Sequence, residues 1–195
     1  IILKEVSKPS FTVKPMSRLL FSIPLPKTSM KLVEWLAAYY PAPISSIASL
    51  VLPSSYLSKQ TITSPSDVAE VSDKIQRKLP ELTEDQRHVI RTIHKSAKTT
   101  FLLHGDTGTG KTRVYIELIN RELKRSKSAI VLTPEISLTP QLEKNIAEAV
   151  SAPVLTIHSN LTSKERRELW TRILYSKSPL VIIGARSALF APIND

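Results

Sequence analysis

The 195 residues carry 27 Lys/Arg against 17 Asp/Glu, a net charge of +10, with 42% hydrophobic residues and no cysteine. That composition supports an apolar core and excludes a disulfide framework or a thiolate zinc site within these residues. No run of about 18 apolar residues occurs, so no membrane span is expected, and the basic excess, shared by both halves, suits a polyanionic partner as well as a solvated surface.

The chain starts at Ile1 without Met and without a signal-peptide pattern, and it is expected to be part of a longer reading frame of a cytoplasmic protein. Residues 1–28 read as a remnant or linker. Most of the 14 prolines and none of the four glycines fall before residue 81. The breakers "IPLP" (23–26) and "YPAPI" (40–44) bracket "SMKLVEWLAAYY", which opens the segment 29–60. This stretch predicts a helix capped by Ser29, with Leu32, Val33, Leu36 and Tyr40 on one face. A second short helix over "ISSIASLVLP" ends before Pro53. Two short helices about a proline turn suit a winged-helix-like segment, and other small helical packings equally well. Residues 61–80, entered through the polar "SKQTITSPSD", read as a linker.

From residue 81 the texture changes. Short apolar runs predict strands over 99–105, 128–133, 153–158 and 179–184. Helical spacing appears between them. Over 112–126 it is carried by Tyr115, Leu118, Ile119 and Leu123, and over 137–150 by Leu142, Ile146 and Val150. Over 163–176 it buries Leu169, Trp170, Ile173 and Leu174. Near-continuous apolar strands alternating with amphipathic helices predict an α/β fold with a parallel sheet.

Three of the four glycines fall within six residues, in Gly105-Asp106-Thr107-Gly108-Thr109-Gly110-Lys111-Thr112. This satisfies G-x-x-x-x-G-K-[ST], with a predicted strand before it and a helix after it. Glycine permits positive φ and brings backbone N–H groups close to phosphate. The following helix adds its N-terminal partial charge. Lys111 is placed to reach the β/γ-phosphates of ATP, and Thr112 to hold Mg2+ through its hydroxyl. The basic run "RELKRSK" (121–127) reads as a solvated helix end favoured by the dipole.

Four further stretches narrow the class. "LTEDQRHVI" (82–90), "LTPEISLTPQL" (132–142) and "IHSNLTSKERRELWTRILYSKSPLVIIGARSALFAPI" (157–193) resemble the superfamily 2 helicases, and more closely the primosomal replication-restart helicases. "WLAAYYPAPISSIASLVLP" resembles the winged-helix segment of that family more loosely. The resemblance implies that 81–195 is an incomplete RecA-like P-loop lobe. It implies an adenine contact for Gln86, whose amide offers both a donor and an acceptor. It implies DNA contacts for Thr133, Pro134 and Glu135, in a loop after a strand, and for Arg186 and Ser187. His158 and Ser159 match a position that shapes or touches the DNA-facing loop. Two departures stand out: Ala185 replaces the usual Thr, and Asp106 puts a carboxylate inside the phosphate loop.

The resemblance further implies an ATP-dependent 3′-to-5′ DNA helicase that assembles the primosome at stalled forks, in the nucleoid-associated cytoplasm of a bacterium. Forked or single-stranded DNA, replisome proteins and single-stranded-DNA-binding protein are the implied partners. No "DE.H" acid element occurs in the chain. That acid, the second lobe with its arginine finger, and the family's zinc-binding cysteines are expected beyond Asp195. The 195 residues are therefore expected to hold nucleotide without turning it over. Another superfamily 2 translocase, RecG-like or restriction-type, is the alternative; a small-molecule P-loop kinase and a binding module with a decayed loop fit the residues less well.

Overall fold

Residues 10, 12, 21–53, 56, 79–134 and 139–194 are described by a computed structural model. Six α-helices and three strands follow in chain order: α1 Lys27–Tyr39, α2 Ile44–Val51, α3 Glu84–Lys95, α4 Lys111–Lys124, β1 Ala129–Leu132, α5 Thr139–Ala147, β2 Val154–Ile157, α6 Ser163–Leu174 and β3 Val181–Gly184. A 3₁₀ turn, Arg186–Phe190, follows β3. These elements fall into two units. One takes residues 21–53, 56, 160–176 and 190–194; the other takes 79–134, 139–159 and 177–189.

In the first unit α1 starts earlier than the sequence suggests. Pro26 occupies the N-cap with no side-chain cap bond, and Ser29 is a buried residue inside the helix. A proline, with its fixed φ and missing N–H, begins a helix without needing a hydroxyl cap. The inner face is Val33, Leu36 and Ala37, packed with Ile47 and Val51 of α2. Tyr40, predicted to lie on that face, is the extended C-cap residue and is half exposed. The helix has ended before Tyr40, so the helical period no longer places its side chain.

A second cluster joins Trp170 and Leu174 of α6 to Tyr56, with Phe21, Ile23 and Leu52 packed around it. The Trp170 Nε1–H donates to the Val51 carbonyl at 2.8 Å, satisfying a polar atom that burial would otherwise strand. Tyr56 donates its hydroxyl to the Arg167 carbonyl at 3.2 Å and also hydrogen-bonds the Thr171 hydroxyl. Asn194 Nδ2 donates to the Leu174 carbonyl at the end of α6.

The second unit is built on a parallel sheet of order β1-β3-β2. Ala129 pairs with Val181 and Leu132 with Gly184; on the other side Val154 pairs with Val181 and Ile157 with Gly184. β3 is central and every residue in it is buried, as a parallel strand covered on both faces requires. Its Val181 and Ile183 pack with Ile116 and Ile119 of α4, and with Ile146, Ala149 and Val150 from α5 and its exit.

Two expectations are corrected here. Residues 99–105 form no strand, and Leu102 is 93% exposed. Strand-like composition becomes a strand only where a neighbour supplies a hydrogen-bonded ladder, and the described ladder joins only β1, β3 and β2. In α4 the buried residues are Val114, Ile116 and Ile119, while Tyr115 faces outward. The α4 stripe is therefore one residue out of phase with the predicted one at its start.

Candidate phosphate-binding site

Three local choices in the sequence build the loop over 105–112. Gly108 and Gly110 sit at φ of +86° and +80°, in the left-handed region that costs a side-chain-bearing residue roughly 1–2 kcal/mol. The Thr109 hydroxyl donates to the Asp106 carbonyl at 2.8 Å and tightens the turn. A Cβ at Gly105 would lie 3.0 Å from that same hydroxyl oxygen.

α4 begins differently from the helix before it, and unlike the uncapped α1 and α2, which start from prolines, it starts from a left-handed glycine. α3 and α6 are closed by capping boxes, Thr83 with Gln86 and Thr162 with Glu165. α4 starts from Gly110 with no side-chain cap and no acidic residue in its first turn. The Arg113 N–H donates to the Gly110 carbonyl at 2.9 Å, and the N–H groups of Lys111 and Thr112 before it, with the partial positive charge of the helix start, suit an external anion.

Lys111 lies over the loop. Its ammonium donates to the Gly105 carbonyl at 2.5 Å and to the Asp106 carbonyl at 2.7 Å. Two of its three donors are thus spent on the loop's own backbone. Asp106 contributes its carbonyl to this turn while the residue stays exposed. Thr112 is half-buried at the second position of α4.

Gln86 reaches the same loop from α3. Its Oε1 accepts from the Thr83 N–H at 3.0 Å, and its Nε2 donates to the Gly110 carbonyl at 3.3 Å. No helix was expected here; the T-E-D-Q spacing of a capping box is the sequence signal that marks its start. The second bond, to the phosphate loop, had no sequence signal.

The carboxyl ends of β1 and β3 bring another group together. Thr133, buried, follows β1 and donates its N–H to the Gly184 carbonyl at 2.9 Å. Pro134 is exposed beside it. Arg186 and Ser187, both exposed, open the 3₁₀ turn after β3. Glu135 lies outside the described residues. His158 is half-buried and Ser159 exposed, just past β2. Gly184, the one glycine outside the loop, is required by crowding: a Cβ there would lie 2.4 Å from the Ile157 carbonyl oxygen. The basic run over 121–127 is a solvated helix end, with Arg125 paired to Glu122 at 3.2 Å and Lys124 and Lys127 exposed.

Among the described residues, no group of three or more His, Cys, Asp or Glu is placed to hold a metal. No helix among them is long and apolar enough to cross a membrane.

Known proteins resemble the chain over both units. The DEAD/DEAH box helicase family matches residues 83–195. Replication restart protein PriA of Helicobacter pylori is 33% identical over 196 residues, covering 100% of this chain and 29% of that protein. Its Rickettsia felis namesake is 34% identical over 166 residues, covering 85% of the chain and 24% of its own length. The Bacillus subtilis protein of that name is 40% identical over 118 residues, covering 58% of the chain and 14% of its own length. The chain thus spans less than a third of the curated relatives it matches. The resemblance to replication-restart helicases read from the sequence is borne out, and the chain belongs to the DEAD/DEAH box helicase family.

Proposed function

We propose that these residues are the nucleotide-binding part of an ATP-dependent 3′-to-5′ DNA helicase that restarts replication at stalled forks in the bacterial cytoplasm. The observation that carries this reading is the uncapped start of α4 beneath Lys111, in a chain similar to replication restart proteins along its whole length. Phosphate oxygens take the place of the Gly105 and Asp106 carbonyls on the Lys111 ammonium, and the N–H groups at the start of α4 complete the cradle.

Magnesium, when bound, neutralises charge on the transferring phosphates, and the Thr112 hydroxyl is the group of this loop that would hold it. Gln86 keeps one donor and one acceptor site beyond its two present bonds, enough to read an adenine edge. Asp106 is exposed, and its carboxylate is compatible with bound phosphate only when turned to solvent.

Thr133, Pro134, Arg186 and Ser187 form the edge that meets a DNA strand, with Glu135 joining them by resemblance. Phosphates pair with the Arg186 guanidinium. Hydrolysis, unwinding, a zinc site, and contacts with primosome proteins and single-stranded-DNA-binding protein belong to the longer protein. The test is DNA-stimulated ATP hydrolysis by that longer protein. Loss of turnover in Lys111→Ala supports the assignment; undiminished turnover overturns it.

A further inference from the structure

α1 has two dissimilar sides. Val33, Leu36 and Ala37 pack toward α2. Trp35, Tyr39 and Tyr40 do not: they are 57%, 67% and 52% exposed. A fully buried ring of this kind takes about 150–250 Å2 from water, and these three, each half to two-thirds exposed, leave roughly half of that to be covered, so together they mark an interaction site rather than a structural remainder.

The rings are already ordered against one another. Trp35 and Tyr39 stack with centroids 5.2 Å apart and planes 14° from parallel. Tyr40 meets Tyr39 edge-on with centroids 5.0 Å apart. Residues four apart share one side of a helix, and Lys27 and Lys31 continue the Trp35–Tyr39 line at that spacing. Both lysines are exposed. Glu34 is the one acidic residue of α1, and α2 carries no charge at all. The line thus runs from flat aromatic faces into ammonium groups along one helix side.

We propose that this side of α1 is a stacking platform for single-stranded nucleic acid, with bases on Trp35 and Tyr39 and backbone phosphates on Lys27 and Lys31. Aromatic faces accept any base and lysines track the backbone, so the platform is tolerant of sequence. An apolar protein partner would leave the two ammonium groups without counter-charges, whereas a polyanion with flat bases satisfies both parts of the line. The proposal goes beyond the helicase reading, whose DNA edge lies at the carboxyl ends of β1 and β3 in the other unit, and it does not depend on nucleotide.

The chain supplies its own reporter. It has two tryptophans, and Trp170 is buried with its Nε1–H bonded to the Val51 carbonyl. Trp35 is therefore the solvent-facing one. The experiment titrates the 195-residue chain, without nucleotide, with oligothymidylate, with an abasic strand of equal length and with the matching duplex. Oligothymidylate is expected to quench Trp35 emission to saturation and to shield it from iodide, and the duplex is expected to do neither. Read by the anisotropy of a labelled oligothymidylate, since Trp35→Ala removes the emission reporter, Trp35→Ala and Tyr39→Ala should each weaken binding by about 5- to 150-fold, the range of base–aromatic stacking. The abasic strand, which loses both stacks, should bind the unaltered chain more weakly than oligothymidylate binds either single aromatic variant. Lys27→Gln and Lys31→Gln should each lower the salt slope by about 0.7. Unchanged Trp35 emission at saturating oligothymidylate overturns the proposal, as does undiminished binding by both aromatic variants. Self-association lost in Trp35→Ala, with DNA binding intact, assigns the face to a protein contact and overturns it too.

Discussion

The Gln86 side-chain amide donates to the Gly110 carbonyl at 3.3 Å, joining the first turn of α3 to the residue from which α4 starts. The same amide closes the capping box of α3 through the Thr83 N–H. One side chain therefore ties a helix start to the phosphate loop. A Cβ at Gly110 would lie 2.5 Å from Gln86 Nε2, and the residue's φ is +80°. Gly110→Ala is expected to lower stability by about 1–3 kcal/mol through strain and to weaken nucleotide binding. In a Gln86→Ala background the steric part should vanish and the backbone part remain. The check is a double-mutant cycle by urea unfolding, with the second substitution costing less in the double variant than alone.

Gly184 answers to a different constraint. Its carbonyl accepts the Thr133 N–H, and it pairs with Leu132 and Ile157. The obstacle to a side chain is the backbone oxygen of Ile157, which cannot swing aside as a side-chain end can. Gly184→Ala is expected to cost about 1–3 kcal/mol, the usual range of overpacking, read as a lower urea midpoint. It should also disturb the proposed DNA edge, since Thr133 and Arg186 are both set by this strand end.

The sequence made the regular elements legible where hydrophobic period and strand neighbours agreed. β1, β2 and β3 and helices α4, α5 and α6 lie where the apolar spacing puts them, to within a few residues. The glycine loop over 105–112 was legible because its glycines answer a backbone need at fixed spacing, Gly108 and Gly110 taking positive φ. Residues 99–105 misled because Phe101 and Leu102 have strand composition but no described ladder to join, and pairing is not written in a local run. Ser29 misled because Pro26 had already begun the helix. The Gln86–Gly110 bond, the crowding at Gly184 and the exposed rings of α1 each depend on a tertiary approach or on the exact end of a helix, which periodicity alone does not fix.

Tyr56 links the first unit to pH. Burial raises its phenol above the ordinary 10.0, with the Thr171 hydrogen bond opposing that shift. Above about pH 10 the unfolded chain releases this proton while the folded chain retains it. The unfolded state then binds fewer protons, so stability falls as pH rises. The contribution is complete below the unfolded value and is lost as pH climbs through the folded one. Tyr56→Phe is expected to flatten this alkaline loss relative to the unaltered chain, while costing about 1 kcal/mol near neutrality for the lost hydrogen bonds. Urea midpoints of the two chains between neutral and alkaline pH measure the difference in slope.

Arg186 is exposed at the carboxyl end of the central strand, where the proposed DNA edge lies. A single phosphate contact there should show in the salt dependence of binding. Arg186→Ala is expected to weaken single-strand binding and to lower the slope of log affinity against log salt by about 0.7. Fluorescence anisotropy over a salt series reads both effects, and Trp35 quenching by the strand, arising at α1, should persist.

The loop from Gly105 to Thr112 is proposed to hold a nucleoside triphosphate through Lys111. The most direct measurement is titration of the 195-residue chain with a fluorescent ATP analogue, with and without magnesium, for the unaltered protein and Lys111→Ala. Saturable binding by the unaltered chain, weakened about 10-fold or more by loss of a charged hydrogen bond in Lys111→Ala, is the expected result. Equal binding by the two chains, or no binding by either, contradicts the claim.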